Sequence, residues 1–193
     1  MTFTPRRRPR PSQEEDQAPG SAAATGAEQD PEATARAIIL RQLAAAPRSR
    51  HQLEDALARR DVDEALAARL LDRFTEVGLI DDAEYAQMLV RSQQQSRGLA
   101  RRALAQELRR KGIADEHAST ALEQVDDETE ERAARDLLRR RWRSGPGVDP
   151  QAQARRAMAM LGRKGYSSGL SSRLVREMVD DRGGDLGDEV DAD

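Results

Sequence analysis

The sequence predicts an all-α fold of three tandem three-helix repeats, forming an elongated, curved array with disordered tails. Ala, Leu, Arg, Glu and Gln dominate the 193 residues, and these are strong helix formers. β-branched residues rarely alternate along the chain as they do in strands. Apolar residues instead recur at helical spacing, and one helix-sized stretch occurs three times. Composition, spacing and repetition therefore favour stacked helical units over a sheet.

An ungapped alignment of one stretch of the sequence with two others reveals the repeat. Residues 57–74 align with residues 108–125 and with residues 161–178, at offsets of 51 and 53 residues. Apolar and basic positions coincide in all three copies, beginning with the leucines Leu57, Leu108 and Leu161. Each copy follows two other helical stretches, so each unit is predicted to hold three helices.

The position that ends the second helix of each unit carries residue types that tolerate a left-handed backbone. Gly112 and Gly165 stand there in the second and third copies, where a left-handed residue is wanted. Asp61 stands there in the first copy, which is tolerable but a poorer choice for that backbone. Before this, Ser49-x-x-Gln52 predicts a capping box that begins the second helix of the first unit.

These features divide the chain into three repeats between two tails. Repeat one is predicted at 33–81, repeat two at 82–126 and repeat three at 127–181. Residues 1–32 and 182–193 contain too little apolar surface to offset their ordering entropy, so both are expected to be disordered.

Several classes of protein and of site are excluded by what the sequence lacks. It has no Cys and only two His, which argues against disulfides and thiolate zinc sites. No apolar run approaches the ~20 residues of a membrane span, and no secretory signal is present, so a cytoplasmic protein is expected. The carboxylates Asp81 and Asp82 could serve a metal, but Asp82 as a helix N-cap is the favoured interpretation. We therefore expect no catalytic residue, no metal and no cofactor.

The charge is unevenly distributed along the chain. Basic residues outnumber acidic ones by 7 to 1 over 86–113 and by 12 to 2 over 132–176, whereas 114–131 carries 0 against 8. Such basic stretches suit a polyanionic partner. The candidate binding residues are Arg97, Arg101, Arg102, Arg109, Arg110, Lys111, Arg139, Arg140, Arg141, Arg143, Arg155, Arg156, Arg163 and Lys164. Trp142 lies within one cluster, and core packing is favoured for it over base stacking.

Four segments in order resemble the RecX family of bacterial RecA regulators, with an actinobacterial bias toward Arg and Ala. They are RSRHQLEDALARR, LLDRFTEVGLIDDAEYAQMLV, RGLARRALAQELRRKGI and MLGRKGYSSGLSSRLVREM, and the resemblance covers residues 36–180. The sequence departs from the family pattern at Gln52, where Glu is usual, and at Asp61, where Gly is usual.

The resemblance implies three tandem three-helix repeats and a monomer without enzymatic activity of its own. It implies binding to the RecA nucleoprotein filament, with inhibition of ATP hydrolysis and strand exchange in recombination, DNA repair and the SOS response. The basic residues are then expected to contact RecA or single- or double-stranded DNA. A helix-turn-helix transcription regulator is the alternative, and an acidic first repeat argues against it. An enzyme with a carboxylate metal site is a third hypothesis.

Overall fold

The computed structural model of the protein describes residues 30–142 and 149–184. Within those ranges every regular element is an α-helix, and there are nine of them. They are α1 (Pro31–Ala45), α2 (Arg50–Ala58), α3 (Glu64–Glu76), α4 (Asp82–Arg97), α5 (Arg101–Arg110), α6 (Asp115–Leu122), α7 (Asp127–Arg141), α8 (Pro150–Arg163) and α9 (Ser168–Gly184). The predicted all-α class is confirmed. Helix α1 begins inside the predicted N-terminal tail, and residues 182–184 of the predicted C-terminal tail end α9. Apart from these residues and Asp30, both predicted tails lie outside the described ranges.

Three hydrophobic cores follow the three repeats. The first is built from α1–α3, the second from α4–α6 and the third from α7–α9. The repeated leucines Leu57, Leu108 and Leu161 are each 0% exposed, so the aligned positions occupy equivalent places in the three cores. The self-alignment therefore predicted a real structural repeat.

The second helix of each repeat ends in the same hydrogen-bonded turn. The N–H groups of Val62, Ile113 and Tyr166 donate to the carbonyls of the three repeated leucines, at 3.3, 3.1 and 3.2 Å. The residue before each donor, which is Asp61, Gly112 or Gly165, has a positive φ, and its N–H donates to the carbonyl three residues earlier in the helix. The two hydrogen bonds together form a Schellman motif in every repeat. This turn satisfies backbone carbonyls that the helix end would otherwise leave unpaired.

Two helix starts test the capping predictions. At α2 the capping box is present, since Ser49 Oγ accepts from the Gln52 N–H and Gln52 Oε1 accepts from the Ser49 N–H. At α4 the prediction was wrong by one residue, because Asp81 is the N-cap and accepts from the Glu84 N–H at 2.8 Å. Asp82 is the first helical residue, and a neighbouring repeat uses its carboxylate.

Repeats one and two meet at the start of α2. Ser49 Oγ donates to the carbonyl of Lys111 at 2.6 Å, across 62 residues of sequence. The Arg50 N–H donates to Asp82 Oδ1 at 2.8 Å, and the Tyr85 hydroxyl donates to Gln52 Oε1 at 3.1 Å. The unpaired N-terminal amides of α2 are thus partly satisfied by the following repeat.

Repeats two and three meet in an equivalent way at the start of α5. The Ala100 N–H donates to the carbonyl of Lys164 at 2.9 Å, and the Arg101 N–H donates to Glu130 Oε1 at 3.3 Å. Ala100 is 51 residues after Ser49 and Lys164 is 53 residues after Lys111, so both partners sit at repeat-equivalent positions. One docking geometry, in which each second helix starts against the next repeat's turn, is used twice.

This docking explains why two of the three turns carry glycine. A Cβ at Gly112 would collide with the side chain of His51, and a Cβ at Gly165 would lie 2.8 Å from the Cβ of Ala103. Asp61 also has a positive φ, 55°, but it is exposed, and no helix of the described residues docks on it. The glycines therefore serve the close approach of the preceding repeat as well as the left-handed backbone.

Helices α7 and α9 are joined by a network of ion pairs. Glu131 accepts from Arg173 at 2.6 and 3.1 Å and from Arg135 at 2.8 Å, while Arg135 also reaches Glu177 at 2.6 Å. The hydrogen bonds from Arg173 and then from Arg135 lower the pKa of Glu131 from 4.5 to about 2.

This lowered pKa predicts an acid-dependent loss of stability. A carboxylate whose pKa is depressed by folding stabilises the protein above its ordinary pKa, and that contribution is lost as the pH falls toward the folded value. Glu131→Gln should therefore lower the melting temperature at neutral pH, and its difference from wild type should shrink between about pH 4.5 and 2. Thermal melts at a series of pH values measure this, and a difference independent of pH would contradict it.

Candidate functional site

The basic residues predicted from sequence lie mainly on second helices and on the turns that follow them. Helix α5 and its turn carry five of them, from Arg101 to Lys111, and α8 and its turn carry four, from Arg155 to Lys164. Three more end α7, at positions 139–141, and Arg97 ends α4. Arg143 lies outside the described residues. Of the described candidates, all are exposed except Lys111 and Lys164, which are half-buried.

Few of these side chains are neutralised by a carboxylate in the described part of the chain. Arg97 and Arg110 both pair with Glu107, Arg139 pairs with Asp136, and Arg155 approaches Asp149 at 3.9 Å. The other described candidates have no ion pair there, and they are Arg101, Arg102, Arg109, Lys111, Arg140, Arg141, Arg156, Arg163 and Lys164. Unpaired guanidinium groups on a surface are available to an external anion.

The junction of repeats two and three brings basic groups together from distant parts of the sequence. Lys164 Nζ donates to the Arg97 carbonyl at 2.6 Å, so the turn after α8 lies against the end of α4. Burial, and then the charges of Arg97 and Arg141, lower the pKa of Lys164 below its ordinary value. Like charges held this close repel one another, and a bound anion would relieve that repulsion. We call Arg97, Arg141 and Lys164 the junction cluster.

Helix α5 presents its basic groups at both ends. Arg101 and Arg102 occupy its first turn and Arg109 and Arg110 its last, and Ala100 supplies no side-chain cap. The Arg101 N–H instead donates to Glu130, whose pKa is raised by burial. Since residues seven apart lie on the same helix face, Arg102 and Arg109 point in the same direction. Both can therefore reach one extended partner.

In repeats two and three the third helix carries less positive charge than the second helix. Helix α6 carries Asp115 and Glu116 and no Lys or Arg. On α3, Asp72 pairs with Arg50, and on α9, Arg173 pairs with Glu131 and Glu177. The candidate residues without an ion pair in the described ranges therefore concentrate on α5, on α8, on the turns after them and at the end of α7, whereas other exposed arginines, such as Arg69 on α3 and Arg176 on α9, are scattered singly.

The sequence favoured core packing for Trp142 but did not show which residues surround its side chain. It is the C-cap of α7, half-buried and packed against the core of repeat three, which confirms the packing interpretation. The same side chain also lines a half-open cavity with Arg141, Arg156 and Met160. The sequence contains no signal for this cavity, because α7 and α8 lie close together only in the folded repeat.

The carboxylates considered as a metal site have structural roles instead. Asp81 caps α4 and Asp82 accepts from the start of α2. No group of three or more potential ligand residues lies together in the described ranges. Among the helices described, none combines the length and apolarity that crossing a membrane requires.

Comparison with known proteins adds family models for each repeat. Residues 35–74 match the model of the first three-helix domain of RecX, 81–122 match the second, and 128–175 match the third. The chain belongs to the RecX family. The regulatory proteins RecX of Streptomyces lividans and Streptomyces coelicolor are each 47% identical over 184 residues, covering 93% of this chain and 98% of theirs. That of Thermobifida fusca is 47% identical over 165 residues, covering 86% and 88%.

Solved structures of RecX proteins share the fold. The crystal structure of a regulatory protein RecX superposes with a TM-score of 0.66 at 26% identity, covering 79% of this chain and 74% of the other. RecX from Lactobacillus salivarius gives a TM-score of 0.65 at 22% identity, covering 78% and 97%. The resemblance to RecX stated from sequence motifs is confirmed, including its actinobacterial character.

Proposed function

We propose that the protein is a non-enzymatic modulator of RecA, which binds the RecA nucleoprotein filament as a monomer. It restrains RecA's ATP hydrolysis and strand exchange, and so acts in recombination and DNA repair. The basic helices α5 and α8 and the turns after them contact DNA phosphates or acidic side chains of RecA. The observation that carries the proposal is a set of basic residues on repeats two and three of a RecX family member that have no ion pair among the residues described.

The placement of these residues supports a filament as the partner. The two repeat junctions have the same geometry, so the basic turns after α5 and α8 recur in equivalent positions. A filament also offers its phosphates and protein subunits at regular intervals. Basic groups that recur along the protein can contact anionic groups that recur along the filament, so several contacts can form together. Such contacts should make binding strongly salt-dependent.

The helix-turn-helix alternative fits the charge distribution less well. A DNA-reading helix carries basic or amide side chains to the base edges, and the third helix of each unit would have that role. Helix α6 is acidic, and Arg173 on α9 is engaged with Glu131 and Glu177. The start of α2 is also covered by repeat two, through Ser49 and Arg50.

A titration of the protein into RecA ATPase reactions on single-stranded DNA tests the proposal. The rate of ATP hydrolysis should fall with added protein and reach a low plateau, because the ligand occupies sites along the filament. The protein alone should hydrolyse no ATP and cut no DNA. Unchanged RecA turnover at saturating protein would remove the proposed function.

A further inference from the structure

Repeat three holds a cavity of about 290 Å³ between the end of α7 and the middle turns of α8. Its buried floor includes Leu138 and Ala157, and the half-buried Met160 adds further apolar surface. Such a volume is near the lower limit for pockets that take small ligands. An apolar recess of this size suits one flat group rather than a long chain.

The rim of the cavity adds two cations and an indole. Arg141 and Arg156 are both exposed, and neither has an ion pair in the described part of the chain. Trp142 leaves α7 in an extended backbone conformation, with φ −73° and ψ 125°, and its side chain lines the same cavity. Aromatic and guanidinium planes are the two surfaces on which unstacked nucleobases bind, and guanidinium groups also bind phosphate.

The charge beyond the rim favours a nucleic acid strand over a single acidic side chain. Arg141 is close enough to Lys164 to lower its pKa, and Lys164 bonds to the carbonyl of Arg97. The positive charge therefore continues from the cavity to the junction cluster. A phosphate backbone carries a charge at every nucleotide and can follow such a row, whereas one carboxylate neutralises one cation.

We propose that this cavity binds one unstacked base of single-stranded DNA. The base stacks on Trp142, and its flanking phosphates bind Arg141 and Arg156. The inference rests on the proposed function only in that the protein meets single-stranded DNA at a filament. It assigns a nucleic-acid site to repeat three and a role in base binding to a side chain that also packs the core.

Trp142 is the only tryptophan of the chain, so its fluorescence reports on this cavity alone. The full-length protein is titrated with an oligothymidine strand and with an abasic strand of equal length, which has the phosphates without the bases. The thymidine strand should change the Trp142 emission and bind more tightly. The abasic strand should bind weakly and leave the emission nearly unchanged. Equal affinity and equal emission changes for both strands would overturn the inference.

Single substitutions separate the contribution of base stacking to strand binding from the contribution of charge. Trp142→Ala should weaken thymidine-strand binding roughly 5- to 150-fold, measured by anisotropy of a labelled strand, because base stacking is lost. Trp142→Phe retains an aromatic ring and should lose only a few-fold, which distinguishes stacking from a folding defect. Arg156→Ala should flatten the salt dependence by about 0.7 in the log–log slope. The matched control is Arg176→Ala, which removes an exposed arginine on α9 of the same repeat that does not line the cavity and should change binding much less.

Two further outcomes separate this inference from the function on which it rests. If the wild type inhibits RecA but the thymidine strand leaves the Trp142 emission unchanged, the cavity inference fails and the proposed function stands. If the strand changes the emission but RecA turnover is unaffected, the base site stands and the proposed function fails. A peptide rich in Glu and Tyr that changes the emission when the thymidine strand does not would assign the cavity to a protein partner and overturn the inference.

Discussion

Reversing Arg102 and Arg109 to glutamate should greatly weaken binding to the RecA filament. Both side chains are exposed on one face of α5 and have no ion pair in the described ranges, so their replacement breaks no ion pair there. If both contact phosphate on single-stranded DNA, the log–log salt slope should become shallower by roughly 1.4, from about 0.7 for each phosphate. Affinity at low salt should fall by an order of magnitude or more, since each glutamate also repels phosphate. A salt series of binding measurements with filament and with bare single-stranded DNA gives both quantities.

The matched control reverses Arg41 and Arg69 to glutamate. These two residues are exposed on α1 and α3 of repeat one and have no ion pair in the described part, and the change in net charge is the same. Filament binding should change far less, because the acidic first repeat is not the proposed contact surface. Equal losses in the two variants would mean that total charge governs binding, and would contradict a specific role for α5. Loss of filament binding with intact binding to bare DNA would assign Arg102 and Arg109 to RecA.

Replacing Gly112 with alanine should destabilise the protein by about 2–5 kcal/mol. Left-handed backbone costs a non-glycine residue about 1–2 kcal/mol, and forcing extra atoms into a packed contact costs about 1–3 kcal/mol more. The added Cβ would collide with His51, which lies beside the capping box of α2, so the junction of repeats one and two must open. Chemical denaturation of the variant and of wild type measures the difference in free energy of unfolding.

Gly78→Ala is the control for the backbone part of that cost. Gly78 follows α3 with φ 72°, close to the 70° of Gly112, and a Cβ there would meet no atom of the described residues within 4 Å. Its replacement should destabilise the protein by only about 1–2 kcal/mol, which is the cost of the left-handed backbone alone. Similar losses in both variants would show that backbone strain, and not the docking of repeat one, makes Gly112 necessary.

Local features were predicted well because their causes lie within a few residues. The capping box at Ser49 and the three equivalent turns follow from side-chain and backbone hydrogen bonds that span three to five positions. The α4 N-cap was misplaced because two adjacent aspartates suit that position equally. Only the contact of Asp82 with the Arg50 N–H, 32 residues away, distinguishes them.

The binding surface was predicted only in outline. Composition identified the basic stretches, but it could not separate Arg97, which is paired with Glu107, from Arg102, which has no ion pair within the described ranges. It also gave no sign that Arg141 would lie near Lys164, since those residues belong to different helices. Ion pairing and clustering depend on distances between side chains in space, and a count of charged residues along the chain carries no information about those distances.

The sequence by itself determined the all-α class, the three repeats and the membership of the RecX family. Helix propensity, apolar spacing and internal repetition are properties of short segments, so they can be recognised without knowledge of how the helices pack. The tertiary structure alone decided how the repeats dock and which cations of the described residues have no ion pair there, and it formed the cavity beside Trp142. The physical reason is that these features need partners far apart in sequence, as in the pairing of Glu131 with Arg173 across 42 residues.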